Sequence, residues 1–181
     1  MRNSILPAAA LLAALALAPA GCSNEHKVTV KETVEEAPSK PRIPLIINMG
    51  DPKQEKQLIG GFYGIEATAW RWTAKDFTVS LRPPAGAGEQ GATLDFSFSI
   101  PQVVIDKSKT ITLSASIAGT PLAPETYTHD GQYEYKREVP GNLLTGDAVR
   151  VEFHLDKTFT PGGADTRALG VVARSVGFQT K

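Results

Sequence analysis

The amino-acid sequence predicts an all-β domain, an antiparallel two-sheet sandwich of jelly-roll type, preceded by an N-terminal signal helix and a flexible tether. Three observations carry this expectation. First, apolar residues recur with period two in four segments, namely Phe77-Val79-Leu81, Leu94-Phe96-Phe98-Ile100, Ile111-Leu113-Ala115-Ile117 and Val149-Val151-Phe153-Leu155. Polar residues fill the alternate positions, so each segment has one wet and one dry face, which antiparallel sheets tolerate and doubly covered parallel sheets do not. Second, no stretch past the leader shows a 3.6-residue apolar stripe. Third, turn residues punctuate the chain at Gly60-Gly61, Pro83 to Gly91, Asp106 to Lys109, Asp130-Gly131, Pro140-Gly141-Asn142 and Pro161-Gly162-Gly163.

Further strands are expected at Leu45 to Met49, Phe62 to Thr68, Trp70 to Thr73 and Gln132 to Val139. The last candidate, Leu169 to Phe178, is apolar on both faces. Leu169, Val171 and Ala173 alternate against Val172, Val176 and Phe178, which places this strand centrally. Eight or so short strands favour a sandwich over a small barrel. Residues 43–181 suffice for one domain with a substantial core, and the chain contains no internal repeat.

Ahead of the domain, residues 1–21 read as a signal peptide. Arg2 supplies a positive start, and Ile5 to Ala18 is an uncharged apolar run. The run is shorter than the ~20 residues a membrane span requires, and no basic cluster follows it. Residues 22–42 are polar, mixed in charge and closed by Pro38 and Pro41, the composition of a linker. Burying Val28, Val30 and Val34 would not offset ordering this segment at roughly 1 to 2 kcal/mol per residue. As a coil it would span about 25 Å.

Processing at the end of the leader admits two routes. Ala18-Pro19-Ala20 suits cleavage by ordinary signal peptidase after Ala20. Ala20-Gly21-Cys22 resembles the end of the bacterial lipoprotein motif, although Pro19 stands where that family usually carries leucine. This resemblance implies lipidation of Cys22 and a membrane partner through the lipid anchor. It also explains why the exported chain has a single cysteine, which no intramolecular disulfide can use. Two or three acyl chains hold a protein firmly where one holds it marginally, at about 0.8 kcal/mol per buried methylene. Ser23 in place of aspartate after the cysteine favours the outer membrane of the cell envelope.

The 19 Lys and Arg residues balance the 19 Asp and Glu residues, and removing the leader with its one charge leaves a net charge of −1. The charges are scattered, which argues against nucleic acid or a polyanion as a partner. Catalytic signatures such as G-x-S-x-G, H-E-x-x-H or a glycine-rich phosphate loop are absent. His129 in a polar turn and His154 on a solvent-facing position fit no metal-ligand spacing, nor do Asp130 and Asp147. No cofactor or metal is implied.

Trp70 and Trp72 share one face of an extended segment and Arg71 takes the other. The two indoles suit either a flat platform for a sugar ring, with Arg71 at its margin, or the interior of the sandwich. For Asp165 and Arg167 a structural role is expected. Asp165 would hold the preceding turn by accepting backbone N–H bonds, and Arg167 would pair with it or with Glu66. Gly61-Phe62-Tyr63 through Glu66, then Arg71-Trp72, then Asp165-x-Arg167-x-Leu169-Gly170 together resemble a pattern found in uncharacterised β-sandwich domains of bacterial envelope and glycosyltransferase-linked proteins. The resemblance implies a jelly-roll or carbohydrate-binding-like fold and no enzyme.

These readings converge on a lipid-anchored, non-catalytic binding module for a glycan or an envelope protein. A structural subunit of an envelope assembly, such as polysaccharide export or secretion, is the second expectation, and an exported hydrolase the third. The anchor has a direct test. In cells fed clickable palmitate, the full chain is expected to take up label and Cys22→Ser to take up none; an unlabelled wild type whose mature terminus is Gly21 would favour ordinary signal peptidase.

Overall fold

Phe77, Phe96, Phe98 and Phe153 fall on the dry faces of three different strands, and they meet. Phe77 stacks on Phe153 with ring centroids 4.9 Å apart and planes 8° apart, and Phe96 lies 5.6 Å from Phe77 and 5.0 Å from Phe153. In a computed structural model that describes residues 43–181, this aromatic cluster joins the two layers of a β-sandwich. The leader, Cys22 and the whole of the tether, residues 1–42, lie outside the described residues.

Nine strands build the layers: β1 (Ile46–Asn48), β2 (Leu58–Glu66), β3 (Trp70–Leu81), β4 (Ala92–Ile100), β5 (Ile111–Ile117), β6 (Thr120–Tyr127), β7 (Gly131–Val139), β8 (Val149–Leu155) and β9 (Val172–Thr180). They hydrogen-bond antiparallel in the order β6-β5-β8-β3-β9-β4-β7, with β1 added beside β9 and β2 beside β3. The continuous ribbon folds over at β3. Its first residues, Arg71 and Trp72, pair with β9, whereas Asp76 to Leu81 pair with β8. One layer is therefore β6-β5-β8-β3 and the other β7-β4-β9 with β1.

All four strongly alternating segments present their apolar residues to the interior, and none of those side chains exceeds 5% exposure. Each removes apolar area worth roughly 25 cal/mol per Å² from water, which is why period two, once set, fixes which face turns inward. At the open side the layers approach again without a backbone ladder. Arg137 of β7 donates from Nε to the Ala123 carbonyl at 2.6 Å and from Nη2 to Glu125 at 2.7 Å, both on β6. Tyr135 Oη donates to the same Ala123 carbonyl at 2.7 Å. Side chains thus close the seam that a barrel would close with main chain.

Several local features depart from the sequence expectation. Two short helices, α1 (Ala87–Gln90) and α2 (Gln102–Ser108), occupy stretches with no apolar stripe; each places one side chain, Ala87 and Val104, in the core. Strand β6 was not expected, because Pro121 and Pro124 interrupt it; as an edge strand it tolerates their missing N–H groups. Gly60-Gly61 is a bulge within β2 rather than a turn. Gly61 has φ +79°, and a Cβ there would come within 2.0 Å of the Asp76 carbonyl. The true reversal follows at Ala67 and Thr68, both at positive φ.

β9 is central, between β4 on one side and β1 with β3 on the other. Its face assignment shifts, because pairing jumps from Ala173 opposite Phe98 to Ser175 opposite Ser97. The extra residue, Arg174, puts Ala173 on the same face as Val176 and Phe178 instead of the opposite one. Leu169 through Ala173 are all buried.

Phe96 touches three of the other aromatic rings in this cluster and is fully buried. Phe96→Ala is expected to destabilise the domain by about 3 to 5 kcal/mol, the cost of a large core truncation. Denaturant unfolding measures it, and a loss below about 1 kcal/mol would mean that the cluster does not join the layers.

Candidate functional site

The tryptophan pair sits at the start of β3, where β2 crosses on one side and β9 on the other. Trp70 and Trp72 share a face, both half-buried, with ring centroids 6.1 Å apart and planes at 87°. Trp72 also leans edge-on against Phe159, 5.8 Å away. Perpendicular rings do not make the flat surface on which a sugar ring stacks.

Arg71 does not stand at the margin of a platform. It is 4% exposed and points inward, where Nε donates to the Met49 carbonyl and Nη1 to the Tyr63 carbonyl, both at 3.1 Å. The exposed Glu55 carboxylate lies 3.6 Å from Nη1. Arg71 therefore ties the chain beside β1 to β2 by donating to a main-chain carbonyl of each.

Arg167 bridges two acidic residues at once. Its Nε and Nη2 bind the Asp165 carboxylate at 3.0 and 2.8 Å, and Nη1 binds Glu66 at 3.0 Å. The Arg167 backbone N–H also donates to Asp165 at 3.1 Å. Side-chain bonds from Arg167, then that backbone bond, hold the Asp165 carboxyl below its ordinary value, and the Asp165 and Glu66 bonds push the Arg167 guanidinium higher still. The guanidinium covers the Tyr63 ring at 5.3 Å, and Tyr63 Oη donates to the Ala168 carbonyl at 3.0 Å. All four side chains pin residues 165–168 to β2.

A different surface, away from these residues, forms a concavity. Across the outer face of β3, β8 and β5 runs an open groove of about 450 Å³. Strand register builds it in two rows. Asp76 lies opposite His154, which lies opposite Ser114; Thr78 lies opposite Glu152, which lies opposite Ser116. His154 Nδ1 and Asp76 Oδ1 are 2.6 Å apart. Ser114 Oγ donates to the His154 backbone carbonyl at 3.3 Å, and Ser116 Oγ to Glu152 Oε2 at 3.3 Å. Pro121 of β6 forms one margin.

The Asp76–His154–Ser114 row contains the residue types of a hydrolytic triad, but the Ser114 hydroxyl bonds the main chain and not the imidazole. All three residues lie on paired β strands, whose amides the ladder engages, so no free pair of N–H groups waits for an oxyanion. The His154 and Asp76 side chains are 51% and 74% exposed, and water screens such a pair. Among the described residues no group of three or more His, Cys, Asp or Glu is placed to hold a metal.

The alternation pattern places each of these six groove residues on a wet face. What it does not reveal is that β8 lies between β3 and β5, an order that joins Ser114 to His154 and Ser116 to Glu152 on one side and Asp76 to His154 and Thr78 to Glu152 on the other.

Stability should depend on Asp165 in acid. Its carboxyl titrates below the ordinary 3.8 in the folded chain, so its contribution is present above 3.8 and fades as pH falls through the lowered value. Thermal unfolding across pH is expected to show wild type melting above Asp165→Asn near neutrality and the two converging in acid. A gap that persists unchanged in acid would remove the ionic account.

No family model matches the chain, and no curated protein matches it. Among solved structures, it is similar to a carbohydrate-binding module, TmCBM27, studied for specific mannan recognition: 8% identity, TM-score 0.43, covering 77% of this chain and 97% of that one. It is also similar to a structure described under CBM4 structure and function: 16% identity, TM-score 0.35, covering 74% of this chain and 85% of that one. Superpositions this loose, at such identities, carry no argument about a ligand.

Proposed function

We propose that this chain is a non-catalytic glycan-binding β-sandwich, held at the bacterial cell envelope by lipidation of Cys22, with the outer membrane as its location. The observation that carries the binding reading is the groove across β3, β8 and β5. Its volume of about 450 Å³ lies within the range of small-molecule sites, about 300 to 1,000 Å³. Its polar lining is carboxylate, imidazole and hydroxyl, set beside Ala115, Pro121 and Phe153, and those polar groups exchange hydrogen bonds with water or with sugar hydroxyls at comparable strength. The groups stand on paired strands, so their spacing is set before a ligand arrives and little ordering entropy remains to be lost on binding.

The reading places the site on the groove and not on the tryptophan pair, whose rings are perpendicular and half-buried. An anchor at Cys22 followed by a polar segment of about 25 Å would hold such a site near a membrane surface.

Printed glycans probed with the detergent-solubilised full chain test the reading. Binding is expected for wild type and Trp70→Ala, and lost in Ser116→Trp, which fills the groove, provided that variant melts as wild type does. Loss in Trp70→Ala alone would move the site to the start of β3. Absence of any glycan binding by wild type would overturn the reading.

A further inference from the structure

The groove offers more free lone pairs than free protons, Thr78 being the lining hydroxyl with no protein partner among the described residues, and that imbalance selects the ligand. A carboxylate can only accept, so in the Asp76–His154 contact the imidazole donates from Nδ1 and one Asp76 oxygen is engaged. Asp76 Oδ2 and Glu152 Oε1 have no protein partner among the described residues. Ser114 and Ser116 donate their hydroxyl hydrogens to a carbonyl and to Glu152, so what each still presents is an acceptor. No lysine or arginine lines the groove. The nearest outward cation on β8, Arg150, faces Ser80 in the next row along and is not part of the lining.

A ligand that satisfies this surface must supply donors and positive charge. Neutral sugars bring hydroxyls, each of which donates one hydrogen. An ammonium brings three donors and a charge, and its bonds to carboxylates are roughly twice as strong as neutral ones. Uronates, phosphates and sulfates bring further acceptors and negative charge against Asp76 and Glu152, with nothing to neutralise them.

We infer that the groove binds a glycan carrying free amino groups, such as an oligomer of de-N-acetylated hexosamine, in preference to neutral or anionic glycans. This inference rests on the glycan-binding reading of the same groove. The two rows place the free oxygens of Asp76 and Glu152 on adjacent strands and in adjacent rows, so an oligomer lying across both meets a carboxylate in each. The chain as a whole is formally neutral, so a polycation finds no global field that would bind it irrespective of the groove.

Calorimetric titration of the full chain in neutral detergent tests this, with a glucosamine oligosaccharide in its charged form, the N-acetylated oligomer of equal length, and an oligogalacturonate. The glucosamine oligomer is expected to bind about tenfold more tightly than its acetylated counterpart, the worth of one charge-assisted hydrogen bond, and the uronate not at all. Glu152→Gln and Asp76→Asn are each expected to remove most of that preference, weakening the glucosamine oligomer far more than the acetylated one. Glu138→Gln, a carboxylate on the other layer, should change nothing. If the acetylated oligomer or the uronate binds as tightly as the glucosamine oligomer, the inferred selectivity is wrong and the glycan-binding reading survives. If Glu138→Gln weakens binding as much as Glu152→Gln does, the attraction is not that of the groove and the inference falls. If no oligomer binds and the printed glycans are also blank, both fall.

Discussion

Strand β3 belongs to both layers, and the sandwich depends on the way it is held. Its early residues are hydrogen-bonded to β9 and its later residues to β8, so the layers are hinged on one continuous backbone. Phe77 is the inward residue of its later half, and stacking on Phe153 and packing on Phe96 draw the β4 layer down over it. The bend requires Gly61 opposite, because the main chain of β2 approaches the Asp76 carbonyl too closely for any side chain. A hydrophobic contact that is not directional in itself is thus converted into a defined fold by one close backbone approach.

The outer face of the same strand gives the groove its first wall. Asp76 and Thr78 are outward because Phe77 and Val79 are inward, and antiparallel pairing then aligns Glu152 and His154 of β8 and Ser114 and Ser116 of β5 beside them. Core and groove are two faces of a single alternation. A polar concavity costs the fold little in this position, since its side chains remain wet until a ligand replaces the water.

The two arginines of the region illustrate how charge is used elsewhere in the domain. Arg71 is buried and answers two main-chain carbonyls, one before β2 and one within it. Arg167 remains partly exposed and clamps the segment before β9 through Asp165 and Glu66. Both hold irregular chain in place where the sheet ladder is interrupted, at the bulged β2 and at residues 156–171. Regular strands need no such help, and in the groove one oxygen each of Asp76 and Glu152 is left without a protein partner among the described residues.

The amino-acid sequence by itself determined the all-β class, the antiparallel pairing and the inward set from Phe77 to Leu155, because period two couples directly to burial. It also offered Arg167 either Asp165 or Glu66 as a partner, and the structure gives it both, while the backbone N–H that Asp165 accepts is that of Arg167 and not one of the preceding turn. It did not determine that β8 lies between β3 and β5, that a bulge at Arg174 turns Ala173 over, or that a strand with two prolines closes the edge. Those outcomes depend on contacts between residues far apart in the chain, whose free energies are compared only when the layers come together. The groove belongs to this second class: its polar residues were legible as wet, and only tertiary pairing made six scattered wet positions into one acceptor-rich surface.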